Sequence, residues 1–242
     1  MRYASEENSA PSPASRTGAF IALAVIVVGI TSFLAFSPAR EGTTAFWLLA
    51  IGPQALLALI GAYFAHKEGL LREWFTPKWG DASLAAAQTF ITMAGAWAGT
   101  KLLFAQGTPR QGFLLRLYIH LGDPRDFLKH IPLVAATLLI AAAAEETLWR
   151  GVVPMLLEPK VGSRRAWIYG AFLYALAHVP TAFALRDANL GPNPVLPLAA
   201  LACGLVWAFA VRKTGRLVPT ILAHALFDWF VIVGYRLAGP SF

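Results

Sequence analysis

Glu145 and Glu146 stand side by side in the apolar run AAAAEETLWRGVVP at residues 141–154, with Arg150 four residues beyond the second of them. Ionisable groups at membrane depth cost about 2.5 to 3.5 kcal/mol each on insertion scales, so such a cluster is a functional-site candidate by default. Residues four apart share a helix face, which makes Glu146 and Arg150 an ion pair in the favourable order. Glu145 projects about 100 degrees away from Glu146 and needs another partner. The doublet therefore divides into a carboxylate already neutralised and one left to take a proton from water, the work of a general base.

Two later apolar runs carry matching groups. Tyr174 and His178 are four apart, and His224 and Asp228 repeat that spacing. If the three faces converge, one cavity holds a carboxylate, two imidazoles and a further acid, a set that activates water and stabilises an oxyanion. A lone intramembrane histidine is more often a helix-to-helix hydrogen-bond partner than a catalyst. Glu145, Glu146, Arg150, His178, His224 and Asp228 together, spread over three spans, are poorly explained by structure alone. His66, His120 and His130 lie near polar segments and read as surface residues, while Trp149 and Trp207 read as packing residues.

The elements that must position these groups follow from composition. Hydrophobic residues make up 57% of the 242 and charged residues 14%, with a mean hydropathy of +0.57. An ordinary soluble domain is about 25% charged, so the solvent here is lipid. A transmembrane helix takes about 20 apolar residues. Apolar runs at 19–37, 44–65, 82–105, 131–157, 166–185, 195–211 and 217–237 fit that length. The expectation is an all-α, polytopic membrane helical bundle of about seven transmembrane helices, within six to eight. An interfacial amphipathic helix is expected in 107–130, where Arg110, Arg116, Arg125 and Lys129 mix with Phe113, Leu114, Leu117 and Tyr118. Residues 66–80 have a similar interfacial mixture, and Gly52-Pro53 should bend the second span.

Residues 1–17, polar and rich in Ser, Pro and Ala, read as a disordered N-terminal tail, and 18–242 as a single transmembrane helical domain. The net charge of +7 falls in loops between hydrophobic runs rather than on one face. That pattern reports orientation in a bilayer, not nucleic-acid binding, and the excess of loop Lys and Arg favours the N-terminus inside.

Several chemistries fit poorly. The H-E-x-x-H zinc motif is absent, since His178 is followed by Val-Pro-Thr-Ala and His224 by Ala-Leu-Phe-Asp. Glu and His are zinc ligands all the same, so zinc held by Glu145, His178 and His224 stands as the lesser alternative to having no cofactor. Ser32 is the only serine well inside a span, Cys203 has no His or acid within a turn, and Asp228 is the only aspartate inside a span. Serine, cysteine and paired-aspartate mechanisms all lack their parts.

The motifs E-E-T-L-W-R (145–150), Y-A-L-A-H (174–178) and H-A-L-F-D (224–228) occur in the order, and on the kind of spans, that characterise one family. The chain resembles the CPBP family of intramembrane proteases, which includes the Rce1-type CAAX prenyl endopeptidases and the Abi proteins, over a core of about 131–238. The resemblance implies an endopeptidase hydrolysing a peptide bond of a membrane-anchored protein or lipidated peptide by a glutamate-activated water; the family has been labelled metalloprotease, and the lack of a compact zinc motif favours the metal-free reading here. By the same carry-over, Glu145 with His178 would position and deprotonate the water. His224 and Asp228 would stabilise the oxyanion, with Glu146, Arg150 and Tyr174 supporting the site. Prenyl-peptidase members usually have Asn at the position of Asp228, and an ionised Asp cannot donate to an oxyanion. Either Asp228 is protonated, or it accepts from His224 and leaves that imidazole as the donor. The implied setting is a multi-pass protein of a bacterial inner membrane.

Two other classes compete. A non-catalytic scaffold or bacteriocin-immunity protein could bind a partner helix in the same cavity. A proton-coupled transporter could use the Glu and His groups as a relay, but the sequence has no inverted repeat.

Overall fold

The chain has to satisfy its backbone within apolar segments, and helix is the answer that needs no partner segment. The computed structural model describes residues 13–234 and Leu237. Helix accounts for 83% of the chain and no strand forms among the described residues, so the all-α membrane bundle is the architecture. In chain order the helices are α1 (Pro13–Ala35), α2 (Thr44–Lys67), α3 (Leu71–Phe75), α4 (Asp81–Leu103), α5 (Gln111–Leu121) and α6 (Pro124–Lys129). There follow α7 (Ile131–Glu146), α8 (Val153–Val161), α9 (Ser163–Ala184), α10 (Val195–Thr214) and α11 (Val218–Asp228). Two π-helical segments, Thr147–Val152 and Trp229–Gly234, continue α7 and α11.

All seven expected spans are helical. Four stretches are long and apolar enough to cross a membrane: Thr17–Ala35, Thr44–Lys67, Ile131–Val161 and Val195–Thr214. The other three are α4 with its Thr, Gln and Lys101, α9 with Arg164 and Arg165, and the shorter apolar stretch Val218–Gly234. Of the tail expected over residues 1–17, residues 1–12 lie outside the described residues, and α1 begins at Pro13. Residues 235 and 236, expected at the end of the last span, also lie outside them.

Local sequence explains the helix ends that matter. Thr43 caps α2 by accepting from Phe46 N, a role short hydroxyl side chains fill well. Helix α2 then runs through Pro53 to Lys67 without a break. Gly215 ends α10 at φ 68, the left-handed conformation that glycine adopts without steric cost. Just beyond it Arg216 pairs with Asp81 at the start of α4, and Leu217 N donates to Trp74 O at 2.9 Å, which fixes the entry of α11.

The core forms where α1 and α10 pack on α9, and where α2 and α11 pack on α7. Ala24, Val28, Leu57, Ala58, Leu148, Trp149, Tyr174 and Ala177 make its centre. Small residues allow the close approach. A Cβ on Gly61 of α2 would lie 2.6 Å from the methyl carbons of Val152, so only glycine fits opposite the π segment.

The amphipathic helix expected in 107–130 is α5, whose apolar face buries Phe113, Leu114, Leu117 and Tyr118 against the bundle while Leu115 and Ile119 stay exposed. His66 and His130 are exposed, as read from the sequence. His120 is not: it is 7% exposed, its Nδ1 donates to Arg116 O at 2.8 Å, and its Nε2 lies 3.3 Å from Glu41. Its position three residues after Leu117 puts it on the inward face of α5, which outweighs its polar neighbourhood in sequence.

Candidate functional site

The three polar motifs sit on α7 and its π continuation, on α9 and on α11. Glu145 and Glu146 close the last α-helical turn of α7, and Asp228 closes that of α11, so each group of acids stands where α-helix passes into π-helix. π turns inside helices recur at functional sites. The structure brings together every residue singled out from the sequence: the carboxylate of Glu145 is within electrostatic reach of His178, His224 and Arg150, and Asp228 is within reach of His224, Glu145 and Glu146.

Glu146 and Arg150 form the sealed floor. Both side chains are fully buried, and Arg150 Nη1 lies 3.1 Å from Glu146 Oε1. The contact is an ion pair without hydrogen-bond alignment, for the guanidinium nitrogens of Arg150 have no hydrogen-bond partner among the described residues. Instead the guanidinium lies over aromatic faces, 4.1 Å from the centroid of Tyr174 and 5.3 Å from that of Trp207. A desolvated cation over a ring gains about 2 kcal/mol. Gly204 makes the room: a Cβ there would stand 3.3 Å from Arg150 Nη2 and from the Tyr174 ring.

His224 is held on two sides. Its Nδ1 donates to Glu146 Oε1 at 2.8 Å, and its ring stacks on Trp207 at a centroid distance of 4.0 Å. The remaining nitrogen, Nε2, is 3.6 Å from Asp228 Oδ2, too far for a direct hydrogen bond. Trp207 thus packs, as expected, and also orients an imidazole.

Tyr174 joins Glu145 to His178. Its hydroxyl donates to Glu145 Oε2 at 2.6 Å, and its carbonyl accepts from His178 Nδ1 at 2.9 Å. A carbonyl only accepts, so Nδ1 carries the hydrogen and Nε2 is the free ring position. Glu145, His178 and Asp228 are half-buried, whereas Glu146 and His224 are buried. Glu145, His178 and Asp228 thus form the less buried part of the cluster, and Nε2 is the unengaged nitrogen of His178.

One partner of Glu145 was not singled out from the sequence. Gln54 of α2 donates from Nε2 to Glu145 Oε1 at 3.3 Å and accepts from Trp149 Nε1 at 3.1 Å. Its only signal in the sequence is a lone amide in an apolar run. For the zinc alternative, no group of three His, Cys, Asp or Glu side chains is disposed to hold a metal ion among the described residues. Nδ1 of both histidines is already engaged, with Tyr174 O and with Glu146.

Residues 127–230 match the family model described as type II CAAX prenyl endopeptidase, Rce1-like. The match takes in all three motifs. This stretch is similar to an Rce1-like domain. Its apolar helices make the chain an integral membrane protein, and the match likens its second half to a family of proteases. No curated protein and no solved structure gives a significant match. The Rce1-like segment begins with α6 and contains α7 to α11, so it holds the whole cluster except Gln54.

Proposed function

We propose that the protein hydrolyses a peptide bond of a membrane-anchored protein or lipidated peptide within the bilayer, with water activated by Glu145 and His178. The observation that supports this reading is the Tyr174 link: one residue donates its hydroxyl to Glu145 and accepts Nδ1 of His178 at its carbonyl, which ties the carboxylate to an imidazole whose Nε2 is left free.

In the proposed reaction a water placed between these two groups gives a proton to Glu145 as its oxygen attacks the scissile carbonyl carbon. The carbonyl oxygen becomes an oxyanion facing α11, where His224, acting as an imidazolium with Nδ1 donating to Glu146, offers the Nε2 hydrogen. Asp228 serves as the nearby acid that orients that nitrogen, the role left to an Asp where prenyl peptidases usually carry Asn. The carbon–nitrogen bond then breaks, and the proton taken from water passes to the leaving amine. Glu146, Arg150 and Tyr174 hold the geometry. The scheme uses no metal, and Nδ1 of each histidine is engaged by the protein, with Tyr174 O and with Glu146. A prenylated C-terminal C-a-a-X peptide is the substrate class that the family description points to.

The test compares membrane-protein C-termini in cells that carry the wild type, Glu145→Gln, or no copy of the gene. The expected result is a set of new C-termini that depends on wild type alone. Cleavage that persists with Glu145→Gln would sink the mechanism, and a wild-type phenotype kept by that variant would favour the partner-binding alternative. Activity lost to a chelator and restored by zinc would reverse the metal-free reading.

A further inference from the structure

We infer that Gln54, on α2 and outside the Rce1-like segment, is a positioning residue for Glu145; the inference rests on the reading of Glu145 as the base. An indole N–H only donates, so the group of Gln54 that meets Trp149 Nε1 at 3.1 Å must be its amide oxygen. That contact fixes which way round the amide lies. Its NH2 group is then turned to Glu145 Oε1 at 3.3 Å and to Ala50 O at 3.0 Å, one hydrogen for each.

The pairing explains why the site uses both residues of the doublet differently. Glu145 and Trp149 are four apart, as are Glu146 and Arg150. Gln54 bridges the first pair from α2, while Arg150 itself closes the second. With Tyr174 on Oε2 and Gln54 on Oε1, each oxygen of the Glu145 carboxylate accepts a hydrogen bond from a different helix. A carboxylate held at both oxygens cannot rotate, so its remaining lone pairs keep a fixed direction toward water. The hold is itself anchored, since Gln54 is 3% exposed and Trp149 is fully buried. Helix α2 therefore completes the site, and the matched segment alone lacks one contact to its base.

Two isosteric changes separate positioning from packing. Gln54→Met removes all three amide contacts, whereas Gln54→Glu keeps the volume and the acceptor for Trp149 but loses the amide donor. In full-length protein reconstituted in nanodiscs, the infrared carboxyl band that disappears in Glu145→Gln identifies Glu145. That band is expected to shift in both Gln54 variants. With a farnesylated C-a-a-X peptide as probe, kcat is expected to fall roughly ten- to hundredfold with KM unchanged, the size of one lost hydrogen bond to a charged group. An unmoved band overturns the inference, as does wild-type kcat in Gln54→Met or full activity in Gln54→Glu, which would leave Gln54 only a packing partner of Trp149. The infrared arm needs no substrate, so it decides the contact even if this peptide is not cleaved. Retained cleavage by Glu145→Gln would instead overturn the assignment of the base.

Discussion

Glu146 Oε1 accepts the Nδ1 hydrogen of His224 at 2.8 Å, across the packed faces of α7 and α11. The same oxygen lies 3.1 Å from Arg150 Nη1, so one buried carboxylate serves both a cation and an imidazole. Removing Glu146 leaves Arg150 buried without a counter-charge, and removing Arg150 leaves the buried carboxylate with the imidazole as its one remaining partner; breaking a buried pair costs about 3 to 5 kcal/mol. Arg150→Met is therefore expected to lower the thermal midpoint of the detergent-purified protein sharply. The double variant Glu146→Met with Arg150→Met is expected to recover most of that stability but not cleavage, because His224 has lost its anchor. Recovery of both together would show that the pair serves folding only.

Tyr174→Phe keeps the ring that lies under Arg150 and deletes only the hydroxyl that donates to Glu145. Stability should change by about 1 kcal/mol or less, the net value of an ordinary hydrogen bond, while kcat drops at least tenfold. The measurement is a melting curve alongside a progress curve. Wild-type turnover in this variant would remove Tyr174 from the site.

Gly61→Ala places a methyl group within 2.6 Å of the Val152 side chain. Overpacking of this kind costs about 1 to 3 kcal/mol. Adding Val152→Ala should relieve it, so the double variant is expected to be more stable than Gly61→Ala alone. A double-mutant cycle on melting midpoints reads the coupling. Strict additivity would mean that the two helices do not meet there.

Asp187, in the loop between α9 and α10, accepts from the backbone N–H groups of Asn189 and Leu190 and from Arg116 of α5. The backbone donors first, and Arg116 after them, hold its carboxyl below the ordinary carboxylate value. A lowered folded-state value means that the contact stabilises above the unfolded value and that this is lost as pH falls through the lowered one. Asp187→Asn should thus melt below wild type at neutral pH, with the two curves converging from roughly pH 5 downwards. A gap independent of pH would exclude an ionised contact.

Local spacing controls most of the features that were legible in the sequence. The division of the doublet into a free and a paired glutamate rests on an i,i+4 relation, and Arg150 is where that relation puts it. The apolar runs marked the helices, because run length and composition are what lipid selects. The contact of Glu146 with His224 was out of reach, since it depends on which faces of α7 and α11 meet. Gln54 was hidden for the same reason, with its partners more than ninety residues away. His120 was misread because the segment around it carries several charged residues, while its neighbours in space include Phe36. The π segments were invisible because six residues hold too little pattern to separate a bond to the fifth residue from one to the fourth.

The π segment at Thr147–Val152 also changes how this stretch should be probed. Each extra residue taken up in such a turn rotates the remainder of the helix by about 100 degrees relative to an uninterrupted α-helix. Accessibility scanning by cysteine substitution along Ile131–Val161 should therefore give two periodic patterns out of phase with one another, and the phase slip falls just after the glutamate doublet.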